Sequence, residues 1–200
     1  PAINAIPNTT CFFIESNNIQ SLWRTLSGTN LIWEDLKQNT EVHLLDSNVQ
    51  LLDSLIRSDP KTNEVLAQQP MILSLHSTGS NKFEFLFSLS IPNDFSYNNI
   101  KSFIQNHFKT RGEVVSRMYD NTNIYTFDFG GKSKVNLSIY KGIGVFSSSA
   151  TLIEDAIRNL NSEFSLLQDT NLLDVMETSG KFVDAHIYIN HKNAAEYLSS

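Results

Sequence analysis

Two alternating apolar runs near the middle of the chain, MILSLHS from Met71 and KFEFLFSLSI from Lys82, are separated by Thr78-Gly79-Ser80-Asn81. Alternation with period two marks a strand with one buried face, and a short polar link containing glycine folds one such run back on the next. This is a hairpin. Phe83, Phe85 and Phe87 fall on one face of its second strand and Leu86 on the other. From Gly112 the chain returns to the same texture: EVVSRMY, NIYTFDF, KVNLSIY and IGVFSS, joined at Asp120-Asn121-Thr122, Gly130-Gly131 and Lys141-Gly142. Four strands with such short turns predict an antiparallel meander.

Elsewhere the apolar residues recur at helical spacing. Near the start, the apolar run Thr10–Glu15 predicts a buried strand that turns at Asn17-Asn18 into a helix. Asn17-x-x-Gln20 fits a capping box, and Ile19, Leu22, Trp23 and Leu26 form one stripe. Further helices are expected over Leu31–Lys37, through Leu45, Val49, Leu52 and Ile56, and from Asp59-Pro60 to Ala67. Another is expected over Tyr97–Phe108. Thr151-x-x-Glu154 predicts the cap of Leu152–Leu160, and Leu172–Glu177 a shorter helix. The chain closes with the strand DAHIYIN and a helix from Asn193 to Ser200. Strands that arrive in antiparallel blocks, rather than singly between helices, predict an α+β fold: a mostly antiparallel sheet, hairpin plus four-strand meander, with helices packed on one face.

The closing segment echoes the opening one. When Cys11–Leu22 is laid on His186–Tyr197, Phe12 meets Ile187, Phe13 meets Tyr188, Ile14 meets Ile189 and Asn18 meets Asn193. Each copy is an apolar strand, a polar turn with Asn, and a helix start. The expected organisation is therefore one α+β domain over residues 1–180. Residues 181–200 are then either the start of a second, repeated unit or the closing strand and helix of the same domain. A start at Pro1 rather than Met, and a last helix without a C-cap, lead to the expectation of sequence on both sides, with a signal peptide or membrane anchor upstream.

Composition narrows the function classes. The net charge of the 200-residue chain is −6, and its 15 basic residues are scattered. Nucleic-acid binders carry a basic face, so none is expected here, and an anionic membrane surface is disfavoured for the same reason. No stretch approaches the roughly 20 apolar residues of a membrane span. The single cysteine, Cys11, lies in an apolar strand and reads as a buried thiol.

The chemistry-bearing residues do not assemble into a motif. Gly130-Gly131-Lys132-Ser133 resembles the end of a phosphate loop but precedes a strand instead of a helix, so it reads as a turn. Gly142-x-Gly144 reads the same way. His43, His76, His107, His186 and His191 include no pair spaced for a metal. Glu34-Asp35 and Glu154-Asp155 read as solvated or capping carboxylates, and no GxSxG occurs. No catalytic residue, metal or cofactor is expected. The candidates for ligand binding are Phe83, Phe85, Phe87, Phe103 and Phe108, which could line an apolar pocket between sheet and helices.

The run PNTTCFFIESNNIQSLWRTLSGTNLIWEDL, with the later GIGVFSSSATLIEDAIRNL and HIYINHKNAAEYL, resembles the uncharacterised cell-envelope proteins of Bacteroidetes, a domain of unknown function. Those are long chains with an N-terminal anchor or signal and a large extracytoplasmic region. The resemblance implies an extracytoplasmic location, in the periplasm or at the cell surface, and other envelope proteins as partners. It carries no active-site residues across. The expected function is thus a non-enzymatic extracytoplasmic domain of a larger envelope protein, acting by protein or surface interaction. The alternative is a binder of an apolar small molecule or lipid.

Overall fold

The computed structural model describes residues 1–18, 21, 23–24, 34–35, 37–38, 42–43, 45–47, 49–50, 53, 57, 59–60, 63–64, 69–79, 82–92, 102, 113–128, 134–180 and 183–198. Among the described residues eight strands form one sheet. They are β1 (Thr10–Ser16), β2 (Met71–Gly79), β3 (Lys82–Ser90), β4 (Glu113–Tyr119), β5 (Thr122–Asp128), β6 (Lys134–Tyr140), β7 (Ile143–Ser147) and β8 (His186–Ile189). Among the described residues three helices have both bounds, α1 (Ala150–Asn161), α2 (Thr170–Thr178) and α3 (His191–Leu198), with short 3-10 turns over Ala2–Ala5 and Leu166–Gln168, and further helical residues fall between 21 and 64 and at Ser102.

The spatial order is β4-β5-β6-β7-β3-β2-β1-β8, and every neighbouring pair is antiparallel. Tight turns hold the sequential pairs together. Asp120 and Asn121 between β4 and β5, and Lys141 and Gly142 between β6 and β7, all have positive φ. Consecutive positive-φ residues match the right-handed twist of a two-residue hairpin loop. β1 joins the sheet differently. It lies between β2 and β8 and so brings the two ends of the chain side by side.

Both faces of the sheet are covered. The antiparallel registers place Leu86, Val145 and Ile124 on one face, where they pack with Leu152, Ile153, Ala156 and Ile157 of α1. Phe13, Ile72 and Tyr188 lie on that face too, against Ala2, Ile3 and Ile6 and beside Leu172 and Met176 of α2. The opposite face carries Met71, Leu73, Phe87, Leu89, Val135 and Phe146. It packs on Trp23, Leu45 and Val49, which are helical residues of the first third of the chain. Helical cover on two faces corrects the expectation of one. The cause lies in the central strands: residues 71–76 of β2 and all of β7 are buried irrespective of alternation. A strand that is apolar on both sides needs an element on each.

Helix boundaries follow local hydrogen bonding. α1 is opened by Ser149, whose Oγ accepts from the Leu152 N–H at 3.3 Å, and not by the expected Thr151-x-x-Glu154 box. Ser149 is the last extended residue, so only its side chain points back at the orphan N–H groups. Glu154 is engaged elsewhere, accepting from Arg117 of β4. Asn18, one residue past the expected Asn17, caps the first helix by accepting from Ser21 N–H at 2.9 Å. Of the expected helix Tyr97–Phe108 only Ser102 is among the described residues, and it is helical; the glycine pair Gly130-Gly131 lies outside them.

Ile153 of α1 is fully buried between sheet and N-terminal turn. Ile153→Ala is expected to lower the unfolding free energy by about 2–5 kcal/mol in a urea titration, the loss set by the cavity it leaves. Met118→Ala, at a side chain 75% exposed on β4, is expected to change it by less than about 0.5 kcal/mol.

Candidate functional site

Two places gather polar or reactive groups, and they differ in access. The first is a buried row on the α1 face of the sheet. His76 Nε2 lies 2.7 Å from Ser74 Oγ, and Nδ1 lies 3.1 Å from Thr9 Oγ1. Ser74 Oγ is also 3.3 Å from Leu86 O. All bonds are satisfied by one assignment: the Thr9 hydroxyl donates to Nδ1, Nε2–H donates to Ser74 Oγ, and the Ser74 hydroxyl donates to the Leu86 carbonyl.

A serine beside an imidazole has the spacing of a nucleophile and its base. Here both side chains are fully buried. Burial pushes the His76 pKa down to about 3, because the charged ring would lose its hydration without gaining a counter-ion. So weak a base cannot take a serine proton near neutral pH. The trio is a packing device that satisfies polar groups between strands. Among the described residues no group of three or more His, Cys, Asp and Glu side chains is placed to hold a metal.

The second place is the outer edge of β8. Tyr188 is anchored on the helix side: its ring stacks on Phe13 at 4.8 Å, and its hydroxyl lies 3.4 Å from Ser179 Oγ at the end of α2. His186 Nε2 lies 2.8 Å from the Gly180 carbonyl. α2 itself is fixed by Asp169, whose Oδ1 accepts from the N–H groups of Asn171 and Leu172. These contacts set the spacing between helix and strand. Between them runs an open groove of about 620 Å³, walled by Phe13, Leu172, Val175 and Tyr188 and rimmed by Asp169, Asn190 and Lys192.

Among the described residues no strand pairs with the outer edge of β8, and backbone geometry leaves that edge available. Asn190 N–H donates to Cys11 O at 2.8 Å, in step with the pairs Phe13–Tyr188 and Glu15–His186. Alternation along an antiparallel ladder then turns the N–H and C=O groups of Ile187 and Ile189 away from β1. Their side chains, on the face opposite Tyr188, are 63% and 56% exposed. The other sheet edge is protected: β4 carries Glu113 and Arg117, and Arg117 is tied to Glu154. Charge on an edge strand discourages a further strand from pairing. β8 reads HIYI, without an acid, a lysine or an arginine.

Phe83, Phe85 and Phe87 do not line the groove. They sit on the opposite sheet face, where Phe87 stacks on Phe146 at 4.2 Å in the core and Phe85 packs at its border. Phe103 and Phe108 lie outside the described residues. Cys11 is buried, with Sγ 3.6 Å from Asn193 O. Ile187, Ile189 and Val175 were not singled out from the sequence. The available signal was the absence of charge from DAHIYIN after its first residue, in contrast to EVVSRMY. No family model, curated protein or solved structure matches the chain.

The His76 environment makes stability depend on pH. Above about 6.5 the ring is neutral in both folded and unfolded chains. Below that, the unfolded chain binds a proton that the folded chain refuses until about pH 3. Stability therefore falls as pH drops through this window, with a slope of up to ~1.4 kcal/mol per pH unit from this residue. Urea titrations between these limits are expected to show a shallower slope for His76→Gln. Equal slopes in the two proteins would contradict the assignment.

Proposed function

We propose that this chain is a non-enzymatic interaction module on the extracytoplasmic side of the cell envelope, working as part of a larger envelope protein. The observation that carries the reading is the uncharged, open edge of β8 beside the α2 groove. Ile187, Ile189 and Val175 present apolar surface there, and the outward backbone groups of β8 offer the hydrogen bonds of strand addition. The cell-envelope location rests on the resemblance of the N-terminal strand–helix segment and of HIYINHKNAAEYL to Bacteroidetes envelope proteins. Among the described residues no helix is long and apolar enough to cross a membrane.

An apolar small molecule or lipid is the second reading, and the groove volume favours it, since sites for such ligands span roughly 300–1,000 Å³. The polypeptide reading accounts for more. A wholly apolar ligand would cover the N–H and C=O groups of Ile187 and Ile189 without bonding them, which is costly.

A photo-crosslinking residue placed at Ile187 of the natural protein in its own cells is expected to give a protein adduct in the envelope fraction. The same probe at Met118, on the charge-protected edge, is expected to give none. Recovery of the protein in the cytoplasmic fraction would contradict the location. Equal adducts from both positions would contradict the assignment of the surface.

A further inference from the structure

We infer that β8 and α3 are the first strand and helix of a second copy of this fold, and that the free edge of β8 receives that copy's equivalent of β2. The inference rests on the reading of the β8 edge as an interaction surface and identifies its occupant. The two strands that echo each other in sequence lie side by side and antiparallel. The matching residues Phe13 and Tyr188 face one another, with Phe12 opposite Ile189 on one side of that pair and Ile14 opposite Ile187 on the other. Phe12 corresponds in sequence to Ile187 and Ile14 to Ile189, so the register is that of a two-fold axis through the Phe13–Tyr188 pair. Like placed against like is the mark of an isologous contact.

The segments that follow share the kind of cap but not its position. Each strand runs into a helix capped by an asparagine that accepts from the N–H three residues on, Asn18 from Ser21 at 2.9 Å and Asn190 from Asn193 at 3.3 Å, and Asn190 stands three residues ahead of the Asn193 that aligns with Asn18, so the second helix starts earlier. α3 then returns to the opening strand, where Asn193 Nδ2 donates to Asn8 O and Thr10 O.

Two-fold symmetry fixes what lies beyond β8. The outer edge of β1 is filled by β2, with Phe12 opposite Leu75, Phe13 opposite Ser74 and Ile14 opposite Leu73. Applied to β8, the same relation places an antiparallel strand outside it, with large apolar residues opposite Ile187 and Ile189 and a small residue opposite Tyr188. The large residues cover the two exposed isoleucines. The small one leaves the Phe13–Tyr188 stack undisturbed.

The test uses the 200-residue chain with a soluble peptide carrying MILSLHSTG between lysine tails, and the same peptide with leucine in place of the serine that corresponds to Ser74. Amide hydrogen exchange is the readout. The serine peptide is expected to slow exchange at Ile187 and Ile189 by at least about tenfold, to leave Tyr188 unchanged, and to lose the effect in Ile187→Lys. The leucine peptide is expected to bind at least about tenfold more weakly. Equal protection by both peptides would overturn the second-copy assignment while leaving the edge as a binding surface. No protection by either at millimolar concentration would overturn the inference. Persistence of the Ile187 adduct in cells would then show that the broader reading survives it.

Discussion

β1 is hydrogen-bonded along both edges, to β2 on one side and to β8 on the other, and the continuity of the sheet at that end depends on it. Without β1, β8 would have no ladder, and β2 would become an exposed apolar edge. Buried residues sit on the strand throughout: Cys11 and Phe13 pack inward, and Ser16 donates to the Asp184 carbonyl at 2.8 Å. The pairing is non-local in both directions, so the loop-closure entropy of two long chain segments must be overcome before it forms. What stabilises it is the burial that comes with it, the Phe13–Tyr188–Ile72 cluster beneath the N-terminal turn.

The same constraint explains the polar residues inside. The α1 face of the central strands carries Ser74, Ser88, Ser138 and Ser147, all buried, beside the apolar cluster. Small side chains let the Ala2–Ala5 turn and α1 approach the sheet closely. Their hydroxyls turn back onto the strands: Ser138 donates to Asn123 O at 3.0 Å, and Ser147 to Phe85 O at 2.6 Å. His76 joins this row as a neutral ring. Ser74, Ser138, Ser147 and His76 are satisfied within the row, which keeps those buried groups from becoming a cost, whereas the Ser88 hydroxyl is buried without a partner among the described residues.

The strands were legible in the sequence because alternation and turn chemistry are local. Asp120-Asn121 and Lys141-Gly142 identify their hairpins from two residues each. Sheet order was not legible. Nothing in the runs themselves says that β7 pairs with β3, or that β8 pairs with β1, since those choices are made by tertiary burial. The covered second face was hidden for a related reason. Phe83, Phe85 and Phe87 mark one face of β3, but only the cluster with Trp23, Leu45 and Val49 shows that helical residues fill that side as well. The likeness between Phe12–Ile14 and Ile187–Ile189 was readable, whereas their antiparallel juxtaposition required the fold. The groove could not be read at all, because it is defined by the spacing between α2 and β8.

Among the described residues, β8 is hydrogen-bonded on its inner edge and open on its outer one. Site-resolved amide exchange on the free 200-residue chain tests it directly. Protection is expected to alternate, with His186 and Tyr188 slow and Ile187 and Ile189 fast, the difference between neighbours exceeding about tenfold. Uniform protection across the four residues, or fast exchange at all of them, would contradict it.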